Sequence, residues 1–166
     1  MKPSLELADN GALCLRGVEL SDLDHFFEHQ SEPAACTLAA FPARGRDAFY
    51  AHWVDAMRDP ETLLRTIVVQ GRIAGNIVSW RAIDERCVGY WLGQAFWGRG
   101  IATQALRALC LELDERPLVA YVARHNIGSR RVLEKCGFAI VGELSIAPTA
   151  SEPEIREYVL RLDVSG

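Results

Sequence analysis

Apolar residues alternate with polar ones in some stretches of the chain and recur at helical spacing in others. Leu13–Arg16 has the look of a short strand. Ser21 then predicts a helix start, with Asp24 three residues later, and the helix carries Leu23, Phe26 and Phe27 and fades before Pro33. A second helix fits Asp47–Arg58, with Phe49, Trp53, Ala56 and Met57 on one stripe, and Asp59-Pro60 stops it. Two β-rich runs follow, Arg65–Gln70 and Arg72–Trp80, joined tightly through Gly71 as a hairpin. A third run, Arg86–Leu92, completes a meander. In Gly100–Leu113 the apolar positions 102, 105, 106, 109 and 113 form a helical stripe. Leu118–Val122 is a strand, and Ser129–Cys136 is a short helix closed by Gly137. Phe138–Leu144 and Ile155–Leu162 are the last two strands.

The expected order is therefore β-α-α-β-β-β-α-β-α-β-β. Its middle β-α-β unit needs a crossover helix, so those two strands run parallel while the others are free to pair antiparallel. The fold class is α/β (α+β), a mixed, mostly antiparallel sheet with helices on both faces. At 166 residues the chain reads as one domain, 1–166. The last strand, Ile155–Leu162, reads as an edge that offers a surface for a homodimer.

Composition narrows the function classes. Hydrophobic residues make up 49% and charged residues 24%, with a formal net charge of −4. Nothing in that balance points to nucleic acid as a partner. No run approaches the roughly 18 apolar residues of a membrane span, and MKPSLELADNGALCL has no leader-like apolar core. Five cysteines, odd in number and never spaced C-x-x-C, read as reduced thiols. A cytoplasmic protein is expected.

The candidate chemistry starts at Gly98-Arg99-Gly100, where a strand joins a helix. A helix start exposes unpaired N–H groups and a partial positive charge, which suits an anion. Two glycines let the backbone curl, and Arg99 adds a permanent cation. A P-loop is excluded because no Lys-Ser or Lys-Thr pair follows. A dinucleotide fingerprint is excluded because position 103 is Thr and the next strand ends without an acid. On the tripeptide alone, an anion site and a plain tight turn with a surface arginine both remain open.

The wider stretch V-G-Y-W-L-G-Q-A-F-W-G-R-G-I-A-T-Q-A-L resembles the acetyl-CoA-binding segment of the GCN5-related N-acetyltransferase (GNAT) superfamily. Residues 123–138, A-R-H-N-I-G-S-R-R-V-L-E-K-C-G-F, resemble a second motif of its ribosomal-protein N-terminal acetyltransferase branch (RimJ/RimL-like). The resemblance implies a GNAT acyl-CoA N-acyltransferase fold with acetyl-CoA, or coenzyme A, as co-substrate. It implies that Gly98, Arg99, Gly100, Ile101, Ala102 and Thr103 cradle the diphosphate, with Trp97 opening the loop where the superfamily often has Gln or Arg. Trp91, Leu92 and Gly93 would pair with the pantetheine arm where two parallel strands splay apart. Asn126 and Ser129 would lie near the pantetheine and the sulfur.

Many superfamily members carry a tyrosine acid in the following helix, and at the matching position this chain has Leu133. Ser129 is the implied substitute as a donor to the thiolate, and an N-cap role for it stays open beside that one. Asp84, Glu85, Glu143, Glu154 and Glu157 are candidate bases, and Glu143 is taken first, acting through water. Deprotonating a lysine amine at pH 7 costs on the order of 4–5 kcal/mol, against about 1 for an α-amine. A weak base therefore favours an α-amine acceptor. His25, His29, His52 and His125 form no zinc-binding pattern, so no metal is expected. Helices one and two would wall the acceptor site, with Phe26, Phe27, Tyr50 and Trp53 mostly core. The expected activity is transfer of acetyl to a primary amine, on a small molecule or a protein N-terminus, by direct attack in a ternary complex. A coenzyme A-binding module without catalysis is the alternative.

Overall fold

The computed structural model describes residues 13–164. The N-terminal stretch read above for a leader lies outside them up to residue 12. Among residues 13–164 seven strands form one sheet: β1 (Leu13–Gly17), β2 (Leu63–Val69), β3 (Arg72–Ala82), β4 (Glu85–Leu92), β5 (Leu118–Ala123), β6 (Ala139–Ile146) and β7 (Ile155–Leu162). Among the described residues the five α-helices are α1 (Leu23–Gln30), α2 (Pro33–Ala39), α3 (Arg46–Arg58), α4 (Ile101–Glu112) and α5 (Ile127–Lys135).

The strand order is β1-β2-β3-β4-β5-β7-β6, with β4 and β5 the parallel pair. A mixed, mostly antiparallel sheet results, as the pattern of the chain predicts. The hairpin between β2 and β3 turns at Gly71, whose φ of +74° is a conformation glycine adopts without strain. Amphipathic helices cover both faces. On one face Ile101, Ala105, Leu106 and Leu109 of α4 pack on Ile77, Val88, Leu118 and Leu160 of the sheet. On the other, Leu23 and Phe26 of α1 meet Phe49 and Trp53 of α3.

Four expectations need correction. Pro33 starts a helix, α2, where the chain read as loop. Proline sits at its first position, where the missing N–H costs nothing and the fixed φ suits the turn. Ser21 is not a cap. The chain enters α1 through a 3-10 turn at Leu20–Asp22, where Glu19 and Asp22 bond reciprocally to each other's backbone N–H groups. The helix read as Ser129–Cys136 begins at Ile127, and its N-cap is Asn126. Finally, β7 is no edge: it lies between β5 and β6, so β6 is the outer strand.

Asp22 fastens α1 to the sheet. Its side chain is 1% exposed and accepts from both Arg16 terminal nitrogens (2.7 and 2.8 Å), Glu19 N–H (2.9 Å) and the Thr66 hydroxyl (2.6 Å). Burial alone would raise this carboxyl, but those bonds overcome it and hold the pKa down to about 2.

Candidate active site

The parallel pair is joined only at its beginning. Arg86 and Cys87 of β4 match Leu118 and Val119 of β5, and beyond them the two strands part. The gap opens beside the start of α4. At the Gly75–Leu92 pair, the bracketing hydrogen bond runs from Gly93 N–H to Ala74 C=O (2.9 Å). That makes it a non-hydrogen-bonded pair, so the backbone groups of Leu92, and of Tyr90 two residues earlier, point away from β3 into the gap. The Leu92 carbonyl accepts from the Trp97 indole N–H at 3.1 Å. The Leu92 N–H is left facing the opening. Glycine is required at position 75, because a Cβ there would overlap the Trp91 carbonyl oxygen.

A 3-10 turn at Gln94–Phe96 carries the chain from β4 to the glycine loop. Gly98 and Gly100 adopt φ of +70° and +73°. A Cβ on Gly98 would meet nothing within 4 Å, so what glycine supplies there is backbone conformation rather than clearance. Arg99 lies with its guanidinium 5.8 Å from the centre of the Phe96 ring. Gly100 caps α4, whose first-turn N–H groups, at Ile101, Ala102 and Thr103, have no partner within the helix. They form the positive end of the helix.

A cleft of about 460 Å³ occupies this gap. It gathers Trp91, Leu92, Trp97, Gly98, Gly100, Ile101, Ala102, Thr103, Asn126 and Ser129, with Arg131 and Lys135 adding positive charge. Gly93 and Arg99 are the sequence neighbours of these lining residues. Gly93 is itself confined by the His29 ring, whose Nδ1 is buried without a hydrogen-bond partner among the described residues. Burial lowers the His29 pKa, which favours the neutral imidazole.

Ser129 is where sequence reading and structure differ most usefully. Its N–H donates to Asn126 Oδ1 at 3.2 Å, so the capping group is the asparagine. The Ser129 hydroxyl is then free to make a different bond. It lies 2.7 Å from the Tyr90 hydroxyl. Burial pushes the Tyr90 pKa up to about 12, with the Ser129 bond acting in the opposite sense. A phenol is the stronger donor of the two hydroxyls. Tyr90 donating to Ser129 leaves the serine hydrogen available to the cleft. Tyr90 was missed in the sequence, although period-two alternation along β4 puts Val88, Tyr90 and Leu92 on the α4 side together.

Glu143, on β6, lies outside the cleft, with Oε1 3.1 Å from Arg124 Nη1. Glu157, on β7 opposite Ala123 at the end of β5, is half-buried. Burial raises its pKa, and no ion pair involves it among the described residues.

A second cavity of about 670 Å³ lies on the opposite face of the sheet, under α1 and α3. It and the cleft share Tyr90 and Trp91, so the two spaces meet at the end of β4. Among the described residues, no group of three or more His, Cys, Asp or Glu side chains is placed to hold a metal ion. None of the described helices is long and apolar enough to cross a membrane.

The sequence pattern of the family described as "Acetyltransferase (GNAT) domain" matches residues 12–139. A Bacillus subtilis (strain 168) protein named "Probable N-acetyltransferase YjcK" is 41% identical over 61 residues. That match covers 34% of this chain and 34% of the relative's length. Among solved structures, a spermidine N-acetyltransferase from Vibrio cholerae, in complex with CoA and spermine, superposes with a TM-score of 0.78 at 16% identity, covering 91% of this chain and 95% of that one. Mycobacterium smegmatis RimJ, in complex with CoA-disulfide, gives 0.74 at 20% identity, covering 93% and 83%. At such identities the likeness is one of fold.

Proposed function

Since the chain belongs to the acetyltransferase (GNAT) family, we propose that it acts as a single N-acetyltransferase domain, 1–166, moving acetyl from acetyl-CoA to a primary amine by direct attack in a ternary complex. The observation that carries this reading is the parted β4–β5 pair, with the Leu92 N–H facing the gap and the α4 N-terminus beside it. The residues present fit coenzyme A. The cleft is mainly apolar along β4, as a pantetheine arm requires, and ends at unpaired helix N–H groups near Arg99, Arg131 and Lys135, as a diphosphate requires.

Acetyl-CoA supplies an activated acetyl group as a thioester. The Leu92 N–H donates to the oxygen that gains charge during transfer, from a strand that needs no rearrangement. The Ser129 hydroxyl, held by Tyr90, donates to the departing sulfur. Gly98–Thr103 bind the diphosphate through backbone N–H groups, and Trp97, by occupying the Leu92 carbonyl, fixes the strand end. Asn126 caps α5 and so sets the position of Ser129.

The amine must lose a proton to attack. Glu143, which pairs with Arg124, is one base when it acts through water. Glu157, half-buried and with no ion pair among the described residues, has the proton affinity a base wants. The two motifs quoted above favour the ribosomal-protein N-terminal branch, and hence an α-amine. A cytoplasmic location fits a reaction that draws on acetyl-CoA. Mixing the chain with acetyl-CoA and a panel of amines and following free thiol tests the proposal. Release that depends on both protein and amine is expected. Binding of acetyl-CoA without release for any amine or peptide would leave only a coenzyme A-binding module.

A further inference from the structure

The cavity under α1 and α3 has a wall chemistry of its own. Phe26, Phe49 and Trp53 come from the helices, and Trp80 and Trp91 from the sheet. The Trp80 ring lies against Gly89, where even a Cβ would come within 3.2 Å of it. Among these rings stands Asn76, which is 7% exposed and lines the cavity. Its carboxamide makes no hydrogen bond among the described residues, unlike Gln30 nearby, which is tied to Arg44 N–H and C=O at 3.1 Å each. The Asn76 amide atoms stay open to the cavity, free to pair with a ligand that enters it.

The charged side chains that line the cavity are mostly engaged elsewhere. Asp59 accepts from Glu61 N–H and the Thr62 hydroxyl, and Arg81 is held by both oxygens of Glu115. The Arg44 guanidinium lies over the Phe41 ring. Burial, with Arg44 nearby, lowers the His52 pKa. That leaves Asp55 on the exposed side of α3, with Arg44 close to the same histidine. Against ammonium groups the lining sets two carboxylates, Asp55 and Asp59, beside the Arg44 and Arg81 guanidinium groups, so it holds no excess of negative charge for a polyamine.

Asn76 also has a defined distance from the chemistry. It pairs across the strands with Trp91, at the point where this cavity meets the cleft. Cross-strand partners have Cα atoms about 5 Å apart. A group bonded to Asn76 therefore sits only a few bonds from an amine reaching the end of β4.

Resting on the acetyltransferase reading, we infer that the acceptor is a primary amine on an aromatic or large apolar body, with one neutral amide close to the amine. The Asn76 carboxamide, a donor and an acceptor side by side, pairs with that amide. The rings enclose the apolar body. Phenylalaninamide is the smallest molecule with all three features, and a peptide beginning with a large apolar residue has the same ones.

The test measures kcat/KM for phenylalaninamide, 2-phenylethylamine and spermidine with the full chain and with Asn76→Ala, alongside acetyl-CoA binding by calorimetry. Asn76→Ala is expected to lower kcat/KM for phenylalaninamide by roughly tenfold, as loss of one buried hydrogen-bonding partner does. For 2-phenylethylamine, which has no amide, the change should stay below about twofold on the same principle. Each comparison is made within one substrate, so differences in amine basicity cancel. Equal losses for both aromatic amines would mean that Asn76 only supports the fold, and would overturn the inference. So would a wild-type preference for spermidine, which needs no variant to measure. Acetyl-CoA binding with no turnover of either aromatic amine overturns the acceptor class alone. Absence of acetyl-CoA binding overturns the underlying reading as well.

Discussion

Tyr90→Phe removes one oxygen and keeps the ring that fills the space between β4 and α5. In the intact chain that oxygen lies 2.7 Å from the Ser129 hydroxyl. If Tyr90 holds Ser129 with its hydrogen toward the cleft, its loss leaves the serine free to rotate or to bond water. A neutral hydrogen bond contributes about 0.5–1.5 kcal/mol, which corresponds to a fall in kcat of about 2- to 12-fold. The KM for acetyl-CoA should change less than about twofold, because the bond matters where charge develops on the sulfur rather than in binding. Thiol release at varied acetyl-CoA concentration gives both constants. In a Ser129→Ala background the same substitution should have no further effect, because the group that Tyr90 positions is gone. The Tyr90 pKa is held up to about 12, so the phenol stays protonated through the neutral range. The pH profiles of wild type and Tyr90→Phe should then run parallel between about pH 6 and 9. A full additional loss on top of Ser129→Ala, or an alkaline limb that vanishes with Tyr90→Phe, would refute the positioning argument.

Asp22→Asn should destabilise the fold at neutral pH. The fall from an ordinary 3.8 to about 2 is close to two pKa units, or roughly 2–3 kcal/mol at about 1.36 per unit. Because the folded pKa is the depressed one, this stability is present above about pH 4 and lost as pH falls through about 2. Urea midpoints for the two proteins should differ clearly at pH 7 and converge in acid; a constant difference would contradict the assignment. Gly93→Ala would bring a Cβ to 2.6 Å from His29 Cδ2 and 2.7 Å from Nε2. Such crowding costs about 1–3 kcal/mol and should weaken coenzyme A binding beside Leu92. Adding His29→Ala should restore much of that binding, and no rescue would place the fault elsewhere.

Much of this architecture is legible in the chain because apolar spacing decides it. The stripe at 102, 105, 106 and 109 predicts α4, and the β-rich run 86–92 predicts β4. Pro33 misleads because one residue type both ends helices and begins them, and only the backbone tells which. The place of β7 is hidden for another reason. Sequence order suggests that the last strand is outermost, yet β7 enters between β5 and β6 to bury Leu160 and Leu162. The glycine loop stands out in the sequence, since left-handed backbone before a helix has few solutions. Tyr90 and Asn76 do not, because their meaning depends on what lies across the sheet. Asn76 interrupts an apolar strand, Ile73–Trp80, and a polar residue in such a run is the signal that a sequence reading can take up.

The central claim is that the opening between β4 and β5 receives the thioester, with the Leu92 N–H aimed at its oxygen. Residue-resolved amide hydrogen exchange with and without acetyl-CoA tests it most directly. Exchange at Leu92 and at Ile101–Thr103 should slow on binding, while the β2–β3 hairpin stays unchanged. Binding that leaves those amides exchanging as before would contradict the account.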